Sequence, residues 1–261
     1  MVSSDNRQTG KTALSLLLVN AYPNATGKES VYVTNQSLNE ILQYEQFPQT
    51  EVAIERSINV VTALASTENL RDEDIVDYAY RPTSTNAMLF DIYSNTVGEE
   101  EAFNNFINVV NKLGRRFVIF DINGSVYNED VKRYLDVCDL IVYVFRPIKS
   151  ECIAAKEYLE SLDDDEKTKV KLLCNMWDQS GVKRSSIQDF MKYRTNSMLW
   201  FPYHENIQRT MFEGRLCVLN KLLIEGRDNC LNLRQPIKDI LSFMCDTKNI
   251  KVVRDFSKWQ V

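Results

Sequence analysis

Short runs of apolar, β-branched and aromatic residues recur along the chain and alternate with stretches of helical periodicity. Several runs are apolar on both faces, which is typical of strands in a parallel sheet that helices cover on both sides. The alternation predicts an α/β fold, namely a doubly wound, mostly parallel sheet flanked by helices. The predicted strands are VYVT (31–34), AMLFDIY (87–93), FVIFD (117–121), LIVYVF (140–145), VKLLCN (170–175) and SMLWFP (197–202).

Helical periodicity fills most of the sequence between these strands. Because no Pro/Gly/Ser-rich linker and no long repeat interrupts it, residues 1–247 are predicted to form a single domain and 248–261 a short tail. The polar segment 66–86 is predicted to contain a short helix and a loop, and the acidic stretch 161–167 to be an exposed loop. The predicted helices cover residues 11–22, 52–66, 99–112, 128–136, 149–162, 184–193, 205–224 and 233–246.

The composition argues against several classes of protein. A net charge of −5 opposes a whole-surface field that attracts nucleic acid. The six cysteines lack CxxC spacing, and no leader-like segment precedes the first helix, so neither disulfides nor a zinc site is expected and a cytoplasmic location is predicted. The longest apolar runs fall far short of the roughly 20 residues that span a bilayer.

The tripeptide Gly10-Lys11-Thr12 leads directly into a strongly apolar helix. In such a loop, backbone N–H groups point at an anion, the lysine ammonium reaches the outer phosphates, and the threonine hydroxyl can ligate Mg²⁺. The full GxxxxGK[ST] motif would place glycine where Asp5 stands, so the match is partial. Only residues 1–4 precede this loop, so either the first strand is very short or the sequence begins part-way along it.

Polar residues follow three later strands. Asp121 ends FVIFD, where a doubly wound sheet places a carboxylate beside the metal of a nucleotide. Asn175 ends VKLLCN, and its amide has the donor and acceptor needed to read adenine. A proline, a short loop and a helix follow the last strand in FPYHENIQRTMFEG (201–214). Because the carboxyl ends of parallel strands share one edge, these groups are expected to meet there.

The order and spacing of these segments resemble the deviant Walker A ATPases, the family of the ParA, MinD and Soj proteins. FVIFDING resembles the family's IIDTPPG strand, VCDLIVYVFRP its next strand, and FPYHENIQRTMFEG its iPyd element. The resemblance covers nearly the whole chain. It implies ATP and Mg²⁺ as ligands and an ATP-dependent sandwich dimer that binds DNA, a membrane or a partner protein.

The resemblance also assigns roles to individual residues. Lys11 and Asp121 would be catalytic, Thr12 and Asp121 would hold Mg²⁺ directly or through water, and Asn175 with Pro202 and Tyr203 would line the adenine pocket. The residues that it implies for nucleotide binding are Arg7, Gln8, Thr9, Gly10, Lys11, Thr12, Ala13, Asn175, Pro202 and Tyr203.

The chain departs from the family pattern at two places. The family's loop reads KGGxGKT, whereas Asn6 stands here for its first lysine and Arg7 and Gln8 for its glycines. Arg7 is the nearest candidate for the missing charge. The family also carries an acidic DxD after strand two, where this chain has TNQS (34–37). Because an amide cannot accept the proton of the attacking water, hydrolysis is expected to be slower by about 10²–10⁴-fold.

These features favour a nucleotide-dependent switch in partition of DNA or positioning of a protein complex, with slow hydrolysis and a partner protein that modulates it. A non-hydrolysing scaffold in a secretion, pilus or conjugation assembly is the main alternative. A biosynthetic P-loop enzyme resembling dethiobiotin synthetase is a third, although no acid or base for a substrate pocket is evident.

His204 and the C-terminal tail each have a structural and a functional interpretation. The only histidine, His204, has no second histidine or suitable cysteine nearby in sequence, so a loop role near the base pocket is expected rather than a metal or catalytic one. In the tail, Ile250, Val253, Phe256 and Trp259 recur at helical spacing among basic residues. Packing on its own domain is the favoured interpretation, and membrane or DNA contact are the alternatives.

Overall fold

The structure is a computed structural model that describes residues 2–3, 9–36, 41, 72–81, 87–91, 100–113, 117–178, 180–192, 198–216, 219, 223 and 231–246. The predicted helix at 52–66 and the tail at 248–261 lie outside these residues. In the part of the chain that the structure describes, no helix is both long enough and apolar enough to cross a membrane.

Seven parallel strands form one sheet in the order β3-β2-β4-β1-β5-β6-β7. The α/β prediction is therefore confirmed. The short first strand lies at the centre, where Val2 is in register with Asp121 on one side and Val142 on the other. The strands are β1 (Val2–Ser3), β2 (Ser30–Thr34), β3 (Ala87–Asp91), β4 (Phe117–Asp121), β5 (Ile141–Phe145), β6 (Val170–Trp177) and β7 (Leu199–Pro202).

Helices cover both faces of the sheet. A separate apolar core lies on each face. One core includes α1 and α9 side chains such as Leu17 and Ile240, and the other includes side chains of α3, α4, α5 and α7. The helices are α1 (Lys11–Thr26), α2 (Asp72–Ile75), α3 (Glu100–Lys112), α4 (Glu129–Val137), α5 (Lys149–Ser161), α6 (Asp164–Lys169), α7 (Arg184–Met191), α8 (Glu205–Phe212) and α9 (Leu231–Asp246), with a 3₁₀ turn at Val76–Tyr78.

Helix α1 is buried along nearly its whole length and contains a proline in its last turns. Pro23 has no N–H to donate to the Val19 carbonyl, and the hydroxyl of Ser30 donates to that carbonyl instead, at 2.5 Å. Gly27 then ends the helix in the left-handed conformation, and its N–H bonds the Pro23 carbonyl. The helix thus extends four residues beyond its predicted end and is fixed in the core.

Two predictions of local structure were wrong. The acidic stretch at 161–167 is not only a loop, because Asp163 and Glu166 form a capping box that starts α6. The predicted helix at 205–224 is interrupted, since α8 ends at Phe212 and Gly214 adopts a left-handed conformation with φ of 65°.

Candidate functional site

The loop before α1 brings its backbone close to the end of β6. Gly10 is the N-cap of α1 and has φ of 79°, a left-handed value that favours glycine. A Cβ atom at this position would lie 2.5 Å from the Asn175 amide nitrogen. Glycine is therefore required both for the backbone conformation and for the approach of Asn175. Arg7 and Gln8, which were predicted to contact phosphate, lie outside the described residues.

Asn175 supports this loop from the neighbouring strand. Its side-chain Nδ2 donates to the Thr9 carbonyl at 2.6 Å, and its Oδ1 accepts from the Met176 N–H at 2.9 Å. Met176 takes a positive φ of 54° inside β6, at the place where the register of β6 against β7 shifts. The Asn175 amide retains one N–H and one lone pair for a ligand. Its evident role in this structure is to hold the loop.

Lys11, Thr12 and Asp121 come together where α1 begins and β4 ends. Asp121 is fully buried, and its Oδ2 accepts a hydrogen bond of 2.8 Å from the Tyr32 hydroxyl on the neighbouring strand. Its other oxygen, Oδ1, is buried without a hydrogen-bond partner among the described residues. Lys11 is also buried. We refer to Lys11, Thr12, Tyr32, Asp121 and Gln36 together as the Asp121 cluster.

Burial raises the pKa of the Asp121 carboxyl above its ordinary value. The hydrogen bonds of Tyr32 and Thr12 and the charge of Lys11 oppose this shift but do not cancel it. A buried carboxylate with an unpaired oxygen is unfavourable unless a positive charge reaches it. A cation at the unbonded Asp121 oxygen would offset this cost.

The oxygen donors of this cluster suit Mg²⁺, which prefers hard oxygen ligands. The Thr12 hydroxyl and the unpaired Asp121 oxygen are the two protein ligands that would hold it. No group of three or more His, Cys, Asp or Glu residues suitable for a metal occurs in the described ranges. A magnesium ion here would need its other ligands from water or phosphate oxygens, which is its usual mode in nucleotide sites.

An apolar pocket lies beside this cluster, between the start of α1, the ends of β6 and β7, and helix α8. The space between these elements is about 440 Å³, a figure that includes solvent at the open mouth of the pocket. Five residues of the predicted nucleotide set line it: Gly10, Ala13, Asn175, Pro202 and Tyr203. Leu14, Leu17, Phe201, Ile207 and Met211 supply most of its apolar wall.

The polar groups at the pocket rim are already hydrogen-bonded. The Tyr203 hydroxyl donates to Gln208 at 2.8 Å, and His204 accepts the Asn206 N–H through Nδ1 at 3.2 Å. His204 is thereby the N-cap of α8 as well as a residue of the pocket wall. The pocket thus offers a mostly apolar surface with few unsatisfied polar groups.

Sequence reasoning missed two members of the Asp121 cluster. Tyr32 lies in a wholly buried strand. Because a buried tyrosine hydroxyl usually has a hydrogen-bond partner, a tyrosine in this apolar run indicates a buried polar contact. Gln36 was noted only as a non-acidic residue, but its Nε2 donates to the Thr12 hydroxyl at 3.4 Å. Neither contact could be assigned from the sequence, because the partners of Tyr32 and Gln36 are 89 and 24 residues away.

Solved structures with the same fold include nucleotide-bound proteins. A ParA-family ATPase from Chlorobium tepidum TLS matches with a TM-score of 0.66 and 12% identity over 92% of this chain and 96% of that chain. The septum site-determining protein MinD of Pyrococcus horikoshii OT3, complexed with Mg-ADP, matches with a TM-score of 0.61 and 14% identity over 95% and 96%. A McdA variant of Cyanothece in complex with ATP matches with a TM-score of 0.60 and 12% identity over 96% and 95%.

No protein-family model and no curated protein sequence matches the chain. At these low identities, likeness to solved structures establishes the fold, and function must be argued from the site. The near-complete coverage on both sides confirms the resemblance at that level. The chain has the ParA/MinD-like P-loop ATPase fold.

Proposed function

We propose that this protein binds ATP with Mg²⁺ at the edge of the sheet where Gly10, Asp121 and Asn175 lie. We further propose that it acts as a nucleotide-dependent switch. The observation that carries the proposal is the unpaired, buried oxygen of Asp121 beside Thr12 and Lys11. A metal and a phosphate chain supply what this cluster lacks.

Each part of a nucleotide has a matching surface. The N-terminal end of α1, which has 16 residues, presents backbone N–H groups and the positive end of its dipole to phosphates. Lys11 would neutralise the outer phosphates, and Thr12 and Asp121 would hold the metal. The adenine would enter the apolar pocket, with Pro202 and Tyr203 against the faces of the base. The unused N–H and lone pair of the Asn175 amide would lie at the edge of the base.

A nucleotide-dependent homodimer belongs to the proposal. Four apolar side chains, Tyr127, Ile148, Val182 and Tyr203, are 45–50% exposed, and each follows a different strand. Because all these strands are parallel, the four side chains lie at the same edge as the nucleotide site. An apolar row at this edge suits burial against a second copy.

The biological role that fits this switch is partition of DNA or positioning of a protein complex in the cytoplasm, with slow hydrolysis modulated by a partner protein. DNA contact would use a local basic patch, because the net charge is −5. The tail at 248–261 is the candidate for DNA or, less strongly, membrane contact. The relatives with bound Mg-ADP and ATP support the choice of ligands.

A non-hydrolysing scaffold is the second candidate. The observation that favours it is the hydrogen bond from the Gln36 amide to the Thr12 hydroxyl. The family pattern has an acidic residue in this segment. Such a protein would keep ATP as a structural ligand in a secretion, pilus or conjugation assembly. The unpaired Asp121 oxygen favours the switch, because a scaffold has no need for a buried carboxylate that is unstable without metal.

Calorimetry and molecular-mass measurement test the proposal. Wild type is expected to bind a slowly hydrolysed ATP analogue with Mg²⁺ and to double its mass. Lys11→Ala is expected to lose about 10²-fold in affinity, because a charged hydrogen bond to phosphate is removed. The matched control is Lys171→Ala, since Lys171 packs over the Phe243 ring near the opposite end of the strands.

The outcomes separate the two candidates. Wild type that takes up no adenine nucleotide contradicts both. Binding without phosphate release supports the scaffold, whereas release that Lys11→Ala abolishes and Lys171→Ala retains supports the switch. A constant mass with nucleotide bound rejects the dimer alone.

A further inference from the structure

The segment that follows β2 is fixed against the segment that follows β4. Thr34 is in register with Asp121 at the ends of these two strands. One residue later, the Asn35 side chain donates to the Asn123 carbonyl at 2.9 Å and accepts the Asn123 N–H at 2.7 Å. This side-chain pair imitates a backbone ladder, so it joins the two strand ends beyond the sheet.

The same segment places Gln36 over the first turn of α1. The Thr34 hydroxyl accepts the Gln36 backbone N–H at 3.1 Å and so fixes the direction of the residue. The Gln36 side chain then reaches Thr12, and Nε2 donates to its hydroxyl oxygen at 3.4 Å. Gln36 is half-buried, so this contact lies at the mouth of the Asp121 cluster.

The contact occupies a position on Thr12 that a cation would use. A hydroxyl has one hydrogen to donate and two lone pairs to offer. One lone pair of the Thr12 hydroxyl receives the Gln36 amide. At 3.4 Å this bond is long and weak, so a metal ion can displace it at small cost.

We propose that Gln36 is the water-orienting residue of ATP hydrolysis in this protein, and that its amide rests on the Thr12 hydroxyl when no metal is bound. This inference rests on the proposed function. A metal ion held by Thr12 would displace the Gln36 amide and leave it free to bond a water molecule. Glutamine orients an attacking water by hydrogen bonds and without removing its proton, a role that amides fill in other phosphoryl-transfer enzymes.

The reaction balances without a protein base. The water oxygen forms a bond to the γ-phosphorus, and the bond from that phosphorus to the bridging oxygen breaks with its electron pair left on ADP. The proton of the water passes to the released phosphate. With an amide as the orienting group, ATP hydrolysis is expected to be slow but measurable. A non-hydrolysing scaffold would release no phosphate.

The test compares wild type, Gln36→Ala and Gln36→Glu in two measurements. The first is Mg²⁺ affinity in the presence of ADP, by calorimetry. Because Gln36→Ala removes a competitor for the Thr12 lone pair, the affinity is expected to rise about threefold. The second is the single-turnover rate of hydrolysis, which is expected to fall about 10²-fold when the water loses its orienting group.

The two effects of Gln36→Ala have opposite signs, and a purely structural residue would lower both. Gln36→Glu is expected to hydrolyse ATP at least as fast as wild type, because a carboxylate orients the water and can also accept its proton. The matched control is Gln235→Ala, which removes an exposed Gln235–Asp239 hydrogen bond on α9 and is expected to change neither measurement.

Three results would overturn the inference. Gln36→Ala could hydrolyse ATP at the wild-type rate, its metal affinity could fall together with its rate, or wild type could bind ATP and release no phosphate. Failure of wild type to bind ATP at all is seen in the calorimetry before any rate is measured. That result rejects the proposed function and this inference together.

Discussion

The Asp121 cluster and the apolar pocket lie side by side at one edge of the sheet and differ in how well their polar groups are satisfied. Asp121 is fully buried with one oxygen unpaired and a raised pKa. In the pocket, by contrast, Tyr203 bonds Gln208, and His204 bonds the Asn206 N–H. The Asp121 cluster thus contains an unsatisfied carboxylate oxygen, whereas these two side chains at the pocket rim are satisfied within the protein.

This difference indicates which part of a bound nucleotide can change the state of the protein and which part only adds affinity. A ligand stabilises a folded protein by as much as the free energy of the site is lower with the ligand bound than without it. Filling the Asp121 cluster removes an existing cost, whereas filling the apolar pocket adds contact without relieving a defect. We therefore expect phosphate and metal to control the state of the protein and the base to add affinity.

Gly10→Ala is expected to have the largest effect, because Gly10 borders both regions. The left-handed φ of 79° and the 2.5 Å approach of Asn175 together make a Cβ costly. The free energy of unfolding is expected to fall by about 3 kcal/mol, and ATP binding is expected to be lost. Urea unfolding and calorimetry measure the two effects.

Gly27→Ala is the matched control for that variant. Gly27 has a similar φ of 70°, but a Cβ there would meet nothing within 4 Å. Its cost is expected to be about 1 kcal/mol, from backbone strain alone, with ATP binding intact. Equal costs at the two glycines would show that the contact with Asn175 contributes nothing.

Asp121→Asn is expected to stabilise the protein free of metal and nucleotide while removing its response to Mg²⁺. Since burial raises the folded-state pKa, ionising this carboxyl costs stability as the pH rises above its unfolded-state pKa. The variant is expected to gain about 2 kcal/mol at pH 8 and less at pH 5. Urea unfolding at the two pH values measures this gain.

Asp178→Asn gives a control with the opposite sign. Hydrogen bonds from Ser180 lower the pKa of the exposed Asp178 carboxyl, so this carboxylate stabilises the fold above its unfolded-state pKa and loses that effect as the pH falls. Its replacement is expected to cost slight stability at pH 8. A loss of stability in Asp121→Asn at pH 8 would contradict the proposed cost of the Asp121 cluster.

Asn175→Ala tests the support that the loop receives from β6. The variant leaves the Thr9 carbonyl without its 2.6 Å hydrogen bond, and we expect the free energy of unfolding to fall by about 1.5 kcal/mol. ATP affinity is expected to fall with it, since the loop loses its support. Asn24→Ala removes an equivalent bond to the Asn20 carbonyl within α1 and is expected to leave ATP affinity unchanged.

The sequence was sufficient to predict the sheet and to place two polar groups of the candidate site at one of its edges. Runs such as VYVT and FVIFD become parallel strands because their apolar character on both faces suits no exposed structure. Asp121 and Asn175 could be placed at one edge because each ends a predicted strand. These inferences depend only on patterns that are local in the sequence.

The support between these groups could not be predicted in the same way. The Tyr32–Asp121 bond and the Asn35–Asn123 pair depend on the register of β2 with β4, which joins residues nearly 90 positions apart. The capping box of α6 was readable from Asp163 and Glu166, but the acidic run was interpreted as a loop. Register and side-chain direction, rather than element type, limited the prediction.

His204→Ala is expected to have the smallest effect, and it tests the apolar pocket by itself. The variant removes the acceptor for the Asn206 N–H at the start of α8, which is expected to cost about 1 kcal/mol of stability. ATP affinity is expected to fall only a few-fold, and affinity for inorganic triphosphate not at all, because the phosphates do not contact this wall. His204→Asn, which keeps a good N-cap, should recover the stability. An equal loss for ATP and triphosphate would mean that the two regions are coupled, and that the pocket shares in control of the switch.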